Sequence, residues 1–461
     1  MRLLDTPKVV PEHAPLIERW PLLHPVTWYF LALPFQWVPG PAGINVPYIF
    51  LMLAMAALCL SPAAIIAATR ALNWSWLWLV PYLVYLGILF IALQGSGQQG
   101  MATRQVLFIA GFVTVAAWLA AASNPARLIR WWGGGAILSF LLVSEWTARG
   151  LGLSWGDAFV RFYMGGDLNF IMYGFLREIF DAAAPMRESG VPASQKNMIS
   201  ALLFVGLLLF RAGHAGSGRD LLGLGMTFLI IAILIMLNTR TVLVALLLGF
   251  LLIWMIRFAN QAQFSLGGAL LRVFLVLFAG LALVALLGSE KPMVETLSAR
   301  LAFDDGSTGA RMSQYTWALM RIEQAFLTGS GYAELSNQPV HNIFLGAFMH
   351  AGLFAFLLVL TFYGVTAALW LGFVHRLIWD PGHWVLPLRA EWVAVLPLQP
   401  LIRMWFSGDA GHHSVVEWTA MGVFAGLLLT NAALARAQGS AVRPRPAVKP
   451  AGGFLQPQKL Q

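Results

Sequence analysis

Long apolar runs separated by short polar connections make up most of the chain. A helix needs about 20 mostly apolar residues to cross roughly 30 Å of hydrocarbon, and by that measure the pattern predicts about twelve spans. They are expected at about 25–39, 45–63, 75–94, 104–122, 132–148, 197–213, 220–237, 240–258, 269–288, 342–370, 384–405 and 414–434. The pattern predicts an all-α polytopic membrane protein, with residues 1–434 as a single transmembrane domain.

Two long polar segments, 149–196 and 289–341, interrupt the apolar runs. The second contains apolar residues spaced three or four apart, at Met312, Tyr315, Leu319, Ile322 and Phe326. This spacing is typical of an amphipathic helix that lies on the membrane surface or on the helix bundle. Ser307 or Thr308 is the predicted N-cap, which would place Arg311 in the first turn.

Composition and charge support a membrane-embedded chain. The residues are 59% hydrophobic and only 11% charged, against about 25% charged in a soluble domain. The net charge of +9 comes from basic residues scattered between the predicted spans, so we expect no nucleic-acid partner. With a cytoplasmic N-terminus, the inner connections hold Arg70, Arg127, Arg130, Arg211, Arg219, Arg257, Arg272 and Arg376. The positive-inside rule then puts both termini in the cytoplasm and both long polar segments outside.

Metal, disulfide and targeting signals are weak. Cys59 is the only cysteine, which excludes an intramolecular disulfide and a cysteine-based metal site. Asp304 and Asp305 lack a further ligand at suitable spacing, so a solvated turn explains them better than a divalent metal does. We expect no metal, no cofactor and no cleaved signal peptide. The basic tail, 435–461, is rich in proline and glycine and is predicted to be disordered.

Three polar residues on the predicted outer face are candidates for chemistry. Arg240 lies in a tight turn between two spans, where it is either functional or an interfacial anchor. Arg311 at a helix start suits a bound anion, although a solvated arginine fits the same position. His341 precedes a long apolar helix, where a neutral imidazole can act as a general base or simply cap the helix.

Charged residues within spans are normally paired or functional. Arg403 and Glu417 fall near the outer ends of neighbouring predicted spans. We therefore expect a structural ion pair between them.

Several motifs resemble those of the O-antigen ligases and the superfamily that also contains O-antigen polymerases and protein O-oligosaccharyltransferases. His341-Asn342 followed by nine residues and Gly352 resembles the His-Asn-x9-Gly signature of the ligases. A second run resembles the superfamily pattern through Gly309-Ala310-Arg311, Trp317-Ala318-Leu319 and Leu327-Thr328-Gly329-Ser330-Gly331. Arg240 resembles the start of an Arg-x3-Leu motif, but Val244 stands at the leucine position.

The resemblance implies a GT-C-like, inverting and metal-independent glycosyltransferase of the Gram-negative inner membrane, with a periplasmic active site. Its donor would be O-antigen linked to undecaprenyl diphosphate, and its acceptor lipid A-core, with inner-membrane lipid around it. His341 would be the general base, and Arg240 and Arg311 would hold the diphosphate. Arg300 would be a second phosphate contact, and Asn342 would bind substrate.

Two other functions remain open. A polymerase or a protein O-oligosaccharyltransferase would use the same donor and a different acceptor. A secondary transporter or flippase would show internal pseudo-repeats and charged residues near the membrane midplane. No convincing repeat is seen in the sequence, and the polar residues concentrate in the two long segments.

Overall fold

The computed structural model describes residues 21–35, 38, 40, 41, 44–92, 94, 99–165, 196–214, 220–237, 239–259, 306–331, 340, 342–406 and 414–442. Within these ranges the chain forms helices and three short 3-10 turns, with no strand. This confirms the all-α expectation.

The helices are numbered here in chain order. They are α1 Pro25–Ala32, α2 Val46–Cys59, α3 Pro62–Ala92, α4 Gln99–Ala121, α5 Pro125–Gly150, α6 Trp155–Gly165, α7 Lys196–Ala212, α8 Leu221–Leu237, α9 Arg240–Ala259, α10 Gly306–Gln324, α11 Ile343–Trp379, α12 Ala390–Val393, α13 Leu398–Phe406 and α14 Val415–Val442.

Apolar helices of membrane-spanning length recur along the chain. Among the described residues, five helices are long and apolar enough to cross a membrane, within α4, α5, α9, α11 and α14. Three shorter apolar helices lie at Val46–Cys59, Trp78–Ala92 and Gly223–Leu237. These helices fit a membrane-embedded protein. The count of twelve stays a prediction, since the segment 269–288 falls outside the described residues.

The continuous span predicted for 384–405 is wrong. This stretch contains only the short helices α12 and α13, joined by a turn at 394–397. Pro387 and Pro397 lack an N–H donor, and proline also disfavours helical geometry in the residue before it. In the last described helix, α14 continues to Val442, past the predicted end at 434.

Glycines allow two pairs of helices to approach closely. A Cβ added at Gly422 of α14 would lie 2.7 Å from the Phe112 carbonyl oxygen of α4, and one at Gly426 would lie 2.9 Å from Ala116 Cα. A Cβ at Gly133 of α5 would lie 2.7 Å from the Gly206 carbonyl oxygen of α7. Small residues at helix crossings are a common packing device in membranes, where the lipid gives helices no hydrophobic reason to associate.

Candidate active site

Helix α10 is attached to the bundle by a small apolar core of its own. Ala318 and Ile322 on α10 pack with Val340 and with Met349 of α11. Tyr315 is half-buried against the same core. The predicted apolar stripe is therefore divided between two faces, because Met312, Leu319 and Phe326 are all exposed. An exposed apolar face of this kind suits a helix at a membrane interface.

The predicted start of α10 is wrong. The helix begins at Gly306, so Ser307 and Thr308 lie inside its first turn and neither is the N-cap. Arg311 consequently lies in the second turn, beyond the first-turn N–H groups that have no partner within the helix. An anion held jointly by the helix start and Arg311 is therefore not supported, and any anion binding by this residue depends on its guanidinium.

Arg311 lies on the packed side of α10. It precedes Tyr315 by four residues, and residues at this separation are neighbours on a helix surface. The Arg311 side chain is half-buried. Burial raises the pKa of Tyr315 above its ordinary value, and the nearby positive charge of Arg311 opposes that rise. The guanidinium and the phenol therefore occupy one partly desolvated patch.

Asn342 caps the start of α11. Its side-chain oxygen accepts hydrogen bonds from the backbone N–H groups of Phe344 at 2.9 Å and Leu345 at 3.0 Å. The residue is only 7% exposed. Its Nδ2 donates to the Trp405 carbonyl oxygen at 3.5 Å. The amide therefore holds the helix start that directly follows position 341.

The Trp405 carbonyl joins three helices. It also accepts a hydrogen bond from the Tyr315 hydroxyl at 3.3 Å. The Trp405 ring packs against Phe344, with 4.9 Å between the ring centroids. Helix α10 is thus tied to the start of α11 through the last turn of α13. Sequence reasoning did not find Trp405, because a backbone carbonyl leaves no signature in the residue pattern.

Helix α9 runs antiparallel to the α12–α13 segment, so its N-terminal end at Arg240 points towards the Trp405 end of α13. Arg257 of α9 pairs with Glu391 at 2.8 Å. A Cβ added at Gly249 would lie 2.6 Å from Val395 Cγ1. These contacts define an antiparallel course, and roughly 13 Å of helix then separate Gly249 from the α9 start. The backbone of Arg240 is therefore carried towards the end of α13 that holds Trp405.

A glycine crossing fixes the chain after α10 against α11. Gly352 interrupts α11 with φ 80° and ψ −173°. At the break, two carbonyls of α11 accept hydrogen bonds from the chain that follows α10. The Met349 carbonyl accepts a hydrogen bond from Ser330 N at 2.8 Å, and the His350 carbonyl accepts one from Gly331 N at 3.2 Å. A Cβ at Gly352 would lie 2.1 Å from the Leu327 carbonyl oxygen, and one at Gly329 would lie 2.6 Å from Gly352 N. The motif glycines thus permit two backbones to touch.

The ion pair expected between Arg403 and Glu417 is confirmed. Arg403 Nη1 lies 2.5 Å from Glu417 Oε1, and the carboxylate is fully buried. Gln399 Nε2 donates to the same oxygen at 3.0 Å, and the Ser414 N–H donates to the other one. This network joins α13 to α14 and so supports the helix that presents the Trp405 carbonyl.

The structure describes only part of the predicted site. His341, Arg300, Asp304 and Asp305 lie outside the described residues, as does the side chain of Arg240, so their roles stay predictions. No group of three or more metal-ligating side chains occurs among the residues that the structure describes. No family model matches the chain, and no curated protein matches it.

Proposed function

We propose that this protein is a membrane-embedded glycosyltransferase of the O-antigen ligase type. It transfers a glycan from undecaprenyl diphosphate to a hydroxyl of the outer-core sugar of lipid A-core. The observation that carries the proposal is the hydrogen-bonded link through the Trp405 carbonyl. That link joins the Arg311 side of α10 to the N-cap that directly follows His341. Two stretches that carry the family resemblance therefore meet at one place.

The reaction needs a base and a positively charged site for the leaving group. The acceptor oxygen forms a bond to the anomeric carbon while the bond from that carbon to the diphosphate oxygen breaks. His341 takes the hydroxyl proton as the general base. Arg240 and Arg311 neutralise the departing diphosphate, since a guanidinium binds phosphate oxygens through two parallel hydrogen bonds. Direct displacement inverts the configuration at that carbon.

The surroundings of Arg311 suit a lipid-linked donor. Its side chain lies on the packed face of α10, while Met312 and Leu319 on the same helix and Phe326 just after it are exposed. A polyprenyl diphosphate has an apolar chain and a doubly charged head. An apolar interfacial face beside a partly desolvated arginine offers a contact for each part.

A reconstitution assay with one matched pair of variants tests the proposal. Purified protein receives lipid-linked glycan with either lipid A-core or a second lipid-linked glycan as acceptor. His341→Ala should leave less than about 1% of transfer to lipid A-core, because a general base typically supplies 10²- to 10⁴-fold. The control is His375→Ala, an exposed histidine near the far end of α11, which should retain wild-type transfer.

The acceptor arms separate the related functions. Transfer only to the second lipid-linked glycan would show that the protein is a polymerase and not a ligase. Normal capping of lipid A-core by His341→Ala would contradict the proposed base. If the wild type transferred glycan to neither acceptor and instead moved the donor between leaflets, that result would favour a flippase.

A further inference from the structure

A cleft opens between the C-terminal halves of α11 and α14, at the opposite end of both helices from Asn342. Its volume is about 410 Å³, within the range of about 300 to 1,000 Å³ typical of small-molecule sites. Thr366, Gly372 and Arg376 line one side of it, and Leu428 and Arg436 line the other. None of these residues belongs to the proposed active site.

Two arginines and a histidine line the cleft near the C-terminal ends of both helices. Arg376 and Arg436 are both exposed. Arg376 Nη1 donates a hydrogen bond to His383 Nε2 at 3.3 Å. The imidazole thereby orients one guanidinium. This end of the cleft suits an anion.

Asn431 of α14 fixes the loop that carries His383. Its Nδ2 donates to the His383 carbonyl at 3.0 Å, and its Oδ1 accepts from Val385 N at 2.8 Å and Leu386 N at 3.3 Å. The residue is 3% exposed. The loop is therefore held against α14 by a buried side chain, which fixes the His383 backbone beside Arg376.

The far end of the cleft is apolar. Thr366 Oγ1 donates to the Phe362 carbonyl at 2.8 Å and accepts from Trp78 Nε1 at 2.6 Å, so both side chains are satisfied within the protein. Leu369, Phe373 and Phe424 line the wall between the two ends. About 15 Å of helix separate Thr366 from Arg376. A hydrocarbon chain fits this length better than a compact polar ligand does.

We propose that this cleft binds an anionic phospholipid, with the phosphate at Arg376 and Arg436 and one acyl chain along the wall towards Trp78. The charge distribution decides between this occupant and the chain's own C-terminal tail. That tail carries Arg443, Arg445 and Lys449, and like charges disfavour its entry at a cationic rim. The apolar wall provides little selectivity, because bilayer lipid solvates an acyl chain equally well. The two guanidiniums therefore carry the preference for anionic over zwitterionic lipid.

Native mass spectrometry of the delipidated full-length protein measures this preference directly. Phosphatidylglycerol and phosphatidylcholine with the same acyl chains are titrated separately. One arginine near a membrane surface contributes roughly a fivefold preference, so the double variant Arg376→Gln/Arg436→Gln should weaken phosphatidylglycerol binding by roughly 25-fold. Phosphatidylcholine binding should weaken much less, because its choline cation offsets the charge of its phosphate. Arg127→Gln, an exposed arginine at the start of α5, is the matched control and should bind both lipids normally.

A second variant tests the apolar part without changing charge. A Cβ at Gly372 meets nothing within 4 Å, so Gly372→Phe can fill the cleft, and phenylalanine is the better helix former. It should remove the bound phosphatidylglycerol. Gly364→Phe, on an equally open position of α11 outside the cleft, should not.

Inorganic phosphate distinguishes a lipid from a free anion. Displacement of phosphatidylglycerol by millimolar phosphate, with no effect of Gly372→Phe, would overturn the lipid proposal in favour of an anion site. Unchanged phosphatidylglycerol binding in the arginine double variant would also overturn it. If Gly372→Phe loses its monodisperse gel-filtration peak, the double variant and its Arg127→Gln control decide the question alone.

Discussion

Tyr315 and Asn342 donate hydrogen bonds to the same acceptor, the carbonyl oxygen of Trp405, at 3.3 and 3.5 Å. The first donor comes from the packed face of α10 and the second from the cap of α11. The Trp405 carbonyl at the end of α13 therefore contributes to the relative placement of Arg311 and position 341, together with the apolar core around Met349 and the crossing at Gly352. A defect in this link should change catalysis more than folding.

The first prediction follows from this link. Tyr315→Phe removes one neutral hydrogen bond, which should lower the free energy of unfolding by only about 1 kcal/mol. Transfer of the lipid-linked glycan should nevertheless fall by roughly 10- to 100-fold, because displacement of a catalytic group by about 1 Å can cost 100-fold. Turnover in the reconstituted assay and thermal unfolding in detergent measure the two effects.

Thr316→Val is the matched control for Tyr315→Phe. The Thr316 hydroxyl donates only within its own helix, to the Met312 carbonyl at 3.0 Å, and the residue is exposed. It should transfer glycan at the wild-type rate. Equal turnover of the two variants would show that the Trp405 link does not position the site.

The second prediction concerns the break in α11. Gly352 has φ 80° and ψ −173°, a region almost confined to glycine, and an added Cβ would collide with the Leu327 carbonyl. Gly352→Ala should lower the free energy of unfolding by about 3 kcal/mol or more, combining backbone strain of about 1–3 kcal/mol with displacement of the crossing loop. Thermal unfolding in detergent checks this.

Gly364→Ala gives the contrast on the same helix. A Cβ there meets nothing within 4 Å, and alanine is the better helix former by about 1 kcal/mol. This variant should be as stable as the wild type or more so. A Gly352→Ala protein with the stability of Gly364→Ala would show that the crossing at Leu327 relaxes easily.

Sequence patterns predicted the features that depend on residue type and period. Long apolar runs gave α4, α5, α9, α11 and α14, because a membrane helix must bury its own backbone hydrogen bonds and present apolar side chains. The pairing of Arg403 with Glu417 was also predictable, since an isolated charge within a span is costly.

Other features depend on backbone geometry that residue patterns do not encode. The start of α10 at Gly306 was not predicted, because the apolar spacing from Met312 marks where the helix packs and not where it starts. Gly329 and Gly352 were visible as motif members, but their contact became apparent only when two distant backbones were placed together. The Trp405 carbonyl was not predictable for the same reason.

The third prediction tests the buried ion pair. Glu417→Gln leaves the Arg403 charge buried without its counter-ion, and loss of one partner of a buried pair costs about 3–5 kcal/mol. Replacing both residues, as Arg403→Met/Glu417→Gln, should recover much of that loss because no buried charge remains. The exposed pair Arg149–Glu145 serves as the comparison, and Glu145→Gln should cost no more than about 1 kcal/mol. A double variant that is less stable than Glu417→Gln would contradict this account.

The last prediction concerns Arg311 itself. If its guanidinium neutralises the departing diphosphate, Arg311→Ala should lower the turnover number by about 10²- to 10³-fold, the loss typical of removing one preorganised charge-stabilising donor. Arg311→Lys should recover part of that loss, since an ammonium keeps the charge but not the two parallel hydrogen bonds. Thermal stability should change little in either variant, because the residue is only half-buried.

Arg321→Ala is the control on the same helix, where the guanidinium lies 5.7 Å from the centre of the Trp317 ring. It should transfer glycan normally. Equal turnover of Arg311→Ala and Arg321→Ala would remove Arg311 from the mechanism and leave it a packing residue of α10.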